Sequence, residues 1–137
     1  MKTLRVFVGT HKYNANEGYY SVTIIDDKSN TLSLPTKRVY DSGLTVHKII
    51  LKAIHDVINE LNSSSLKGKI KTIIYTNNDQ VCFEWNNEYI ADGKFSKSTK
   101  DIDYYKKIIN SLKTSQIELV IKGKEAVLSP IIKLRIK

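Results

Sequence analysis

The sequence predicts one α/β domain, on three observations. Residues 3–40 hold three alternating apolar runs separated by turn formers. Residues 45–61 carry one strongly amphipathic helical pattern, and residues 70–75 form a β-branched, aromatic run that breaks into a helix start. The resulting order, β-β-β-α-β-α-α-β, is a hairpin meander followed by a crossover helix. A chain of 137 residues is long enough to bury a core as a single domain over residues 1–137.

The first strand, residues 3–8, alternates Leu4, Val6 and Val8 with Arg5 and Phe7. Residues 9–18 (GTHKYNANEG) are rich in turn formers and predict a connecting loop. Residues 19–26 alternate again, and Asp27-Lys28-Ser29-Asn30 is a tight-turn signal. A third strand follows over residues 31–40, in which Pro35 points to an edge or a bulge. In the helix over 45–61, Val46, Ile49, Ile50, Ala53, Ile54, Val57 and Leu61 recur on one face, with Lys48, Lys52, Asp56 and Glu60 opposite. The fourth strand, 70–75, meets Thr76-Asn77-Asn78-Asp79, a cluster suited to a turn and a helix N-cap, and Val81, Phe83 and Trp85 begin a short helix. A loop over 91–100 holding three lysines leads to a helix over 101–113, with Ile102, Tyr105, Ile108, Ile109 and Leu112 facing inward. Residues 116–122 are a fifth strand, and the apolar pattern of residues 126–137 is interrupted by Ser129-Pro130, which fits either strand or helix.

Charge and cysteine usage narrow the function. With 22 Lys+Arg against 14 Asp+Glu, the net charge of +8 favours a polyanionic partner such as nucleic acid, because each phosphate neutralised releases counterions. The plainer reading is a lysine-rich surface that keeps the chain soluble. One cysteine, Cys82, excludes an intramolecular disulfide and a cysteine-based zinc site, and its apolar setting predicts a buried, inert thiol. The N-terminus runs straight into a strand pattern rather than a secretory signal, and no apolar run approaches membrane-spanning length. A cytoplasmic protein without membrane contact is expected.

The stretch over residues 70–85 organises the chain, because a strand that ends where a helix begins holds an exposed but rigid polar site. Four segments in order extend this. Val6-Phe7-Val8-Gly9-Thr10 stands as a first strand; Gly18-Tyr19-Tyr20-Ser21-Val22 is a glycine-aromatic start of a second. Ile74-Tyr75-Thr76-Asn77-Asn78 ends a fourth strand, and residues 116–124 (QIELVIKGK) are a fifth strand with its loop. Together they resemble the ribonuclease H-like family over nearly the whole chain. The resemblance implies a five-stranded mixed sheet, an antiparallel meander of the first three strands with the fourth and fifth parallel, flanked by helices on both faces. It also implies cleavage of the RNA strand of RNA–DNA hybrids with two magnesium ions, about 4 Å apart, held by four acidic side chains.

Those acids are missing from the matching positions. The first-strand acid falls on Gly9, or on Val8 in a slipped register, and the helix acid falls on Thr45, with His47 offered by a half-turn slip. The fourth-strand acid falls on Asn77, residues 126–137 contain no Asp or Glu, and the loop histidine of the family is Lys124. Without these carboxylates a two-metal site has nothing to offset the dehydration of Mg²⁺. Asp79 and Asp41 are the substitutes to weigh, and both fit caps or solvated loops better; Asp26 and Asp27 lie at the far end of the second strand. His11, His47 and His55 show no Ser or Cys partner at recognisable spacing, and a lone histidine is usually structural.

These residues suggest a non-catalytic domain, with no cofactor, that binds RNA, RNA–DNA hybrid or single strands. Lys12 and Asn14 are expected on the first loop, and Thr45, Asn77 and Asn78 as neutral groups lining the old cleft. Lys94, Lys97 and Lys100 stand where the family often carries its basic protrusion, and Lys124 adds to them; Phe95 offers a ring to stack on a base or to pack on its own domain. The alternative is a protein-interaction or scaffold domain, with a protein partner or self-association through Ile131, Ile132, Leu134 and Ile136 of the tail. A divergent Mg²⁺- or Mn²⁺-dependent nuclease using Asp79 and Asp41 is the third reading.

Overall fold

The computed structural model describes residues 2–63, 68–76, 78–90, 93–95 and 101–123. Five strands, β1 (Lys2–Lys12), β2 (Glu17–Ile25), β3 (Thr31–Tyr40), β4 (Ile70–Thr76) and β5 (Ile117–Gly123), form one sheet in the order β3-β2-β1-β4-β5. The β1–β2 and β2–β3 pairs are antiparallel and the β1–β4 and β4–β5 pairs parallel, the mixed sheet that the resemblance implies. The helices are α1 (Val46–Ser63), α2 (Asp79–Phe83), which runs on as a π-helical segment (Glu84–Ile90), and α3 (Ile102–Lys113).

Strand alternation divides the sheet into two faces. Leu4, Val6 and Val8 of β1, Tyr20 and Val22 of β2, Ile70 and Ile74 of β4, and Leu119 and Ile121 of β5 join the apolar face of α1, together with Val81, Trp85, Tyr105 and Ile108. Each such side chain contributes about 1.5–3 kcal/mol by leaving water. Phe7, Ile73 and Tyr75 point the other way into a second, smaller cluster, where the Phe7 and Tyr75 rings stack at 5.0 Å and 8°. Gly18 sets how closely α1 approaches: a Cβ there would lie 2.6 Å from both the His11 carbonyl oxygen and Ile49 Cδ1.

Several expectations change. β1 runs to Lys12 and β2 begins at Glu17, so most of the loop expected over 9–18 is paired strand, Gly9 against Ser21 and Lys12 against Gly18. Turn-rich composition is overridden here by the ladder hydrogen bonds of a long hairpin. Pro35 does mark a bulge on the edge strand: the β2–β3 register jumps from Tyr20↔Lys37 to Val22↔Leu34. On α1, Val46 is exposed and His47 is buried instead, because His47 points inward toward polar partners. Cys82 is half-buried against the core rather than fully enclosed. Among the described residues no helix is long and apolar enough to cross a membrane. The tail residues Ile131, Ile132, Leu134 and Ile136 lie outside the described residues.

Candidate nucleic-acid interface

Parallel pairing of β1 with β4 and of β4 with β5 points their C-terminal ends the same way, and the chain leaves β4 directly into α2. Such an end is where open α/β sheets place their ligands. At the end of β4, Thr76 is fully buried and its Oγ1 accepts the Asn78 N–H at 3.1 Å. Asn78 has extended backbone, and its Oδ1 accepts the Val81 N–H at 3.0 Å, making it the N-cap of α2. In β1, Val8 faces the core and Gly9 is buried in the sheet.

The hairpin turn is tied to the entrance of α1. Leu44 N–H donates to the Ala15 carbonyl at 2.6 Å and Asp41 N–H to that of Asn16 at 3.0 Å. Within the turn, Asn14 Oδ1 accepts the Asn16 N–H at 2.8 Å, an Asx turn. Thr45 is exposed and caps α1, its Oγ1 accepting the Lys48 N–H at 3.1 Å, while Lys48 Nζ donates to the Gly43 carbonyl at 3.2 Å. Lys12, Asn14 and Thr45 are thereby gathered at one end of the molecule, although Lys12 closes β1 instead of lying in the loop.

Phe95 is not a free stacking ring. It is half-buried, stacked on Tyr105 at 4.2 Å and 30° and on Tyr89 at 5.4 Å and 14°, with Trp85 at 6.4 Å. Neighbouring Lys94 is exposed. Asn77, Lys97, Lys100 and Lys124 lie outside the described residues. The two substitute acids are also accounted for: Asp79 is exposed in the first turn of α2, and Asp41 accepts the Tyr104 hydroxyl at 2.9 Å. Among the described residues no group of three or more His, Cys, Asp or Glu side chains is arranged to hold a metal ion.

The sequence reading missed a buried polar cluster under the start of α1. His47 Nε2 lies 2.8 Å from Glu84 Oε1 and His47 Nδ1 lies 2.6 Å from Asp101 Oδ2, and the Tyr105 hydroxyl donates to the same Glu84 oxygen at 2.7 Å. Both ring nitrogens face acceptors, so satisfying both requires a proton on each nitrogen or on one of the carboxyl groups. Burial, first, and the Glu84 hydrogen bond push the Tyr105 phenol far above its ordinary range, so it stays a donor. The available signal was the phase of His47 with Ile50, Leu51 and Ile54 on the apolar face. His55, too, has a partner that spacing did not reveal, Ser111 Oγ at 3.2 Å across to α3, which also donates to Asn59.

Solved structures share this architecture. LC11-RNase H1, isolated from compost and solved in complex with RNA/DNA hybrid, matches with a TM-score of 0.62 at 13% identity, over 90% of this chain and 87% of that one. RNase H1 of the halophilic archaeon Halobacterium salinarum matches with a TM-score of 0.61 at 6% identity, over 98% and 91% of the two chains. LC9-RNase H1, a type 1 enzyme with the type 2 active-site motif, matches with a TM-score of 0.60 at 9% identity, and this chain spans 90% of its own length but 64% of that one. No protein-family model and no curated protein sequence matches the chain. The chain has the ribonuclease H-like fold.

Proposed function

We propose that this domain binds nucleic acid without cleaving it. The observation that carries the reading is the chemistry of the matching positions: Gly9 within β1 and Thr45 at the start of α1 stand where the resemblance expects metal-binding carboxylates, and at the end of β4 the Thr76 and Asn78 oxygens accept backbone hydrogen bonds. Mg²⁺ binds through hard carboxylate oxygens, which neutral side chains replace poorly. The same neutrality removes a repulsion toward phosphate, and a chain of net charge +8 gains affinity by releasing counterions. Lys12, Lys94 and the amide and hydroxyl groups of Asn14, Thr45 and Asn78 suit phosphate and sugar oxygens, which position a strand without reading its sequence. LC11-RNase H1 in complex with RNA/DNA hybrid offers a precedent for the substrate class on this fold.

Labelled RNA–DNA hybrid, duplex RNA and single strands, each incubated with magnesium, manganese or EDTA, test both halves. Binding that weakens steeply with salt, at about 0.7–0.9 of a log unit per log unit of salt for each phosphate contacted, without cleavage, is expected. Metal-dependent cleavage that disappears in Asp79→Asn would replace this reading with a divergent nuclease, and no binding to any probe would remove it.

A further inference from the structure

The sheet face turned away from α1 ends, at the β1–β2 hairpin, in a patch of aromatic rings around one arginine. Gly18, Tyr20 and Val39 face α1, so the register partners His11, Tyr19 and Arg38 form one row across β1, β2 and β3 on the opposite face. The next row holds Glu17 paired with Tyr40, and Tyr13 stands two residues beyond His11. The rings converge. His11 meets Tyr13 edge-on at 4.9 Å, and Tyr19 lies 5.3 Å from His11 and 5.4 Å from Tyr13. Arg38 is fixed by Glu17 at 2.6 Å and holds its guanidinium 5.9 Å from the centre of the Tyr13 ring. Despite these contacts Tyr13 is 53% exposed, and Tyr40, opposite Glu17 on the edge strand, is 68% exposed.

A surface cluster of this kind has a specific chemistry. Rings held in place by one another and by a cation lose little freedom on binding a further planar group, and both arginine and aromatic faces stack on nucleobases. A base inside a duplex has its faces covered by its neighbours and cannot use such a platform, whereas an unpaired base can. The hairpin that carries the patch is the same element whose turn is tied to the entrance of α1.

We infer that the His11, Tyr13, Tyr19, Arg38 and Tyr40 patch is a stacking platform for unpaired nucleotides, so that the domain selects single-stranded over fully paired nucleic acid. The inference rests on the nucleic-acid reading above. Fluorescence anisotropy with a labelled 12-nucleotide oligouridylate and a blunt 12-base-pair RNA–DNA hybrid tests it on the full chain, with folding of each variant checked by circular dichroism. Tyr13→Ala and Tyr40→Ala each weaken single-strand binding by about 5- to 150-fold and leave hybrid binding within about twofold, while Tyr13→Phe, which keeps the ring, binds as the wild type does. If the wild type binds the oligouridylate and both alanine variants keep its affinity, the platform is refuted and the nucleic-acid reading stands. Loss in Tyr13→Phe equal to that in Tyr13→Ala would also refute stacking. A wild type that binds neither probe removes the nucleic-acid reading itself.

Discussion

Replacing His47 by leucine removes the one group that both buried carboxylates share, at little change in volume. In the native protein Glu84 is 6% exposed and accepts from His47 and Tyr105, while the Asp101 side chain, 14% exposed, has His47 as its hydrogen-bond partner. In His47→Leu the two carboxyl groups remain under α1 without the intervening imidazole. Leaving two desolvated carboxyl groups without their imidazole partner costs about 3–5 kcal/mol in sum, since an unsatisfied buried polar group costs about 1–3 kcal/mol. An unfolding entropy of about 2.1 cal/mol/K per residue converts that loss into a fall in Tm of about 10–17 °C for a domain of this size. Urea and thermal unfolding followed by circular dichroism measure it. Adding Glu84→Gln to His47→Leu replaces one stranded carboxyl group by an amide that still offers Tyr105 an acceptor, so the double variant recovers part of the loss. A loss under about 1 kcal/mol in His47→Leu, or further destabilisation in the double variant, would refute the view that the imidazole binds these helices together.

Gly18→Ala places a methyl 2.6 Å from the His11 carbonyl and Ile49 Cδ1, forcing α1 away from the sheet; a loss of about 1–3 kcal/mol is expected in urea unfolding. Thr72 is fully buried and its hydroxyl has no hydrogen-bond partner among the described residues, so Thr72→Val, which keeps the shape and removes the stranded hydroxyl, raises stability by about 1 kcal/mol in the same assay. Burial, followed by the Asp41 hydrogen bond, pushes the Tyr104 phenol up to about 12. The unfolded chain sheds that proton near pH 10, so the associated stability is complete below about pH 10 and falls as pH rises toward about 12. Unfolding midpoints measured from pH 9 to 12 therefore decline less in Tyr104→Phe than in the wild type, and parallel curves would refute the assignment.

The meander and the helices were legible because period-2 and period-3.6 patterns follow directly from which side chains reach the core. The end of β1 was not. Gly9-Thr10-His11-Lys12 has the composition of a turn, and only pairing with residues 18–21 of β2 holds it extended. Pro35 was legible as an edge or bulge because a missing N–H has few other places in a sheet. His47 shows a different limit. Its phase with Ile50, Leu51 and Ile54 put it on the buried face, yet its partners stand 37 and 54 residues away, where no spacing rule connects them. The hairpin platform has the same cause: His11, Tyr19 and Arg38 become neighbours only through the registers of two strand pairs.

The acids of the chain bear on the proposed function through what they are bonded to. A two-metal site requires carboxylates that converge on one point and are otherwise under-coordinated, so that the ion supplies the missing positive charge. Here several of the described acids hold other groups. Asp26 closes the β2–β3 turn by accepting from the backbone of Lys28 and Asn30, which, led by the Asn30 amide, keeps its carboxyl below the ordinary range. Asp41 holds Tyr104, Asp56 receives the Tyr20 hydroxyl and Lys37, Glu17 fixes Arg38, and Glu84 and Asp101 flank His47. Each of these bonds joins two elements or closes a turn, and recruiting its carboxylate to a metal would break it. These acids act as fasteners at dispersed places, while at the end of β4 the Thr76 and Asn78 oxygens accept backbone hydrogen bonds and Asp79 opens α2. The proposed nucleic-acid reading draws on this difference: phosphate brings its own negative charge and needs donors around it, whereas a divalent cation needs free carboxylates, and those named here are bonded to other groups.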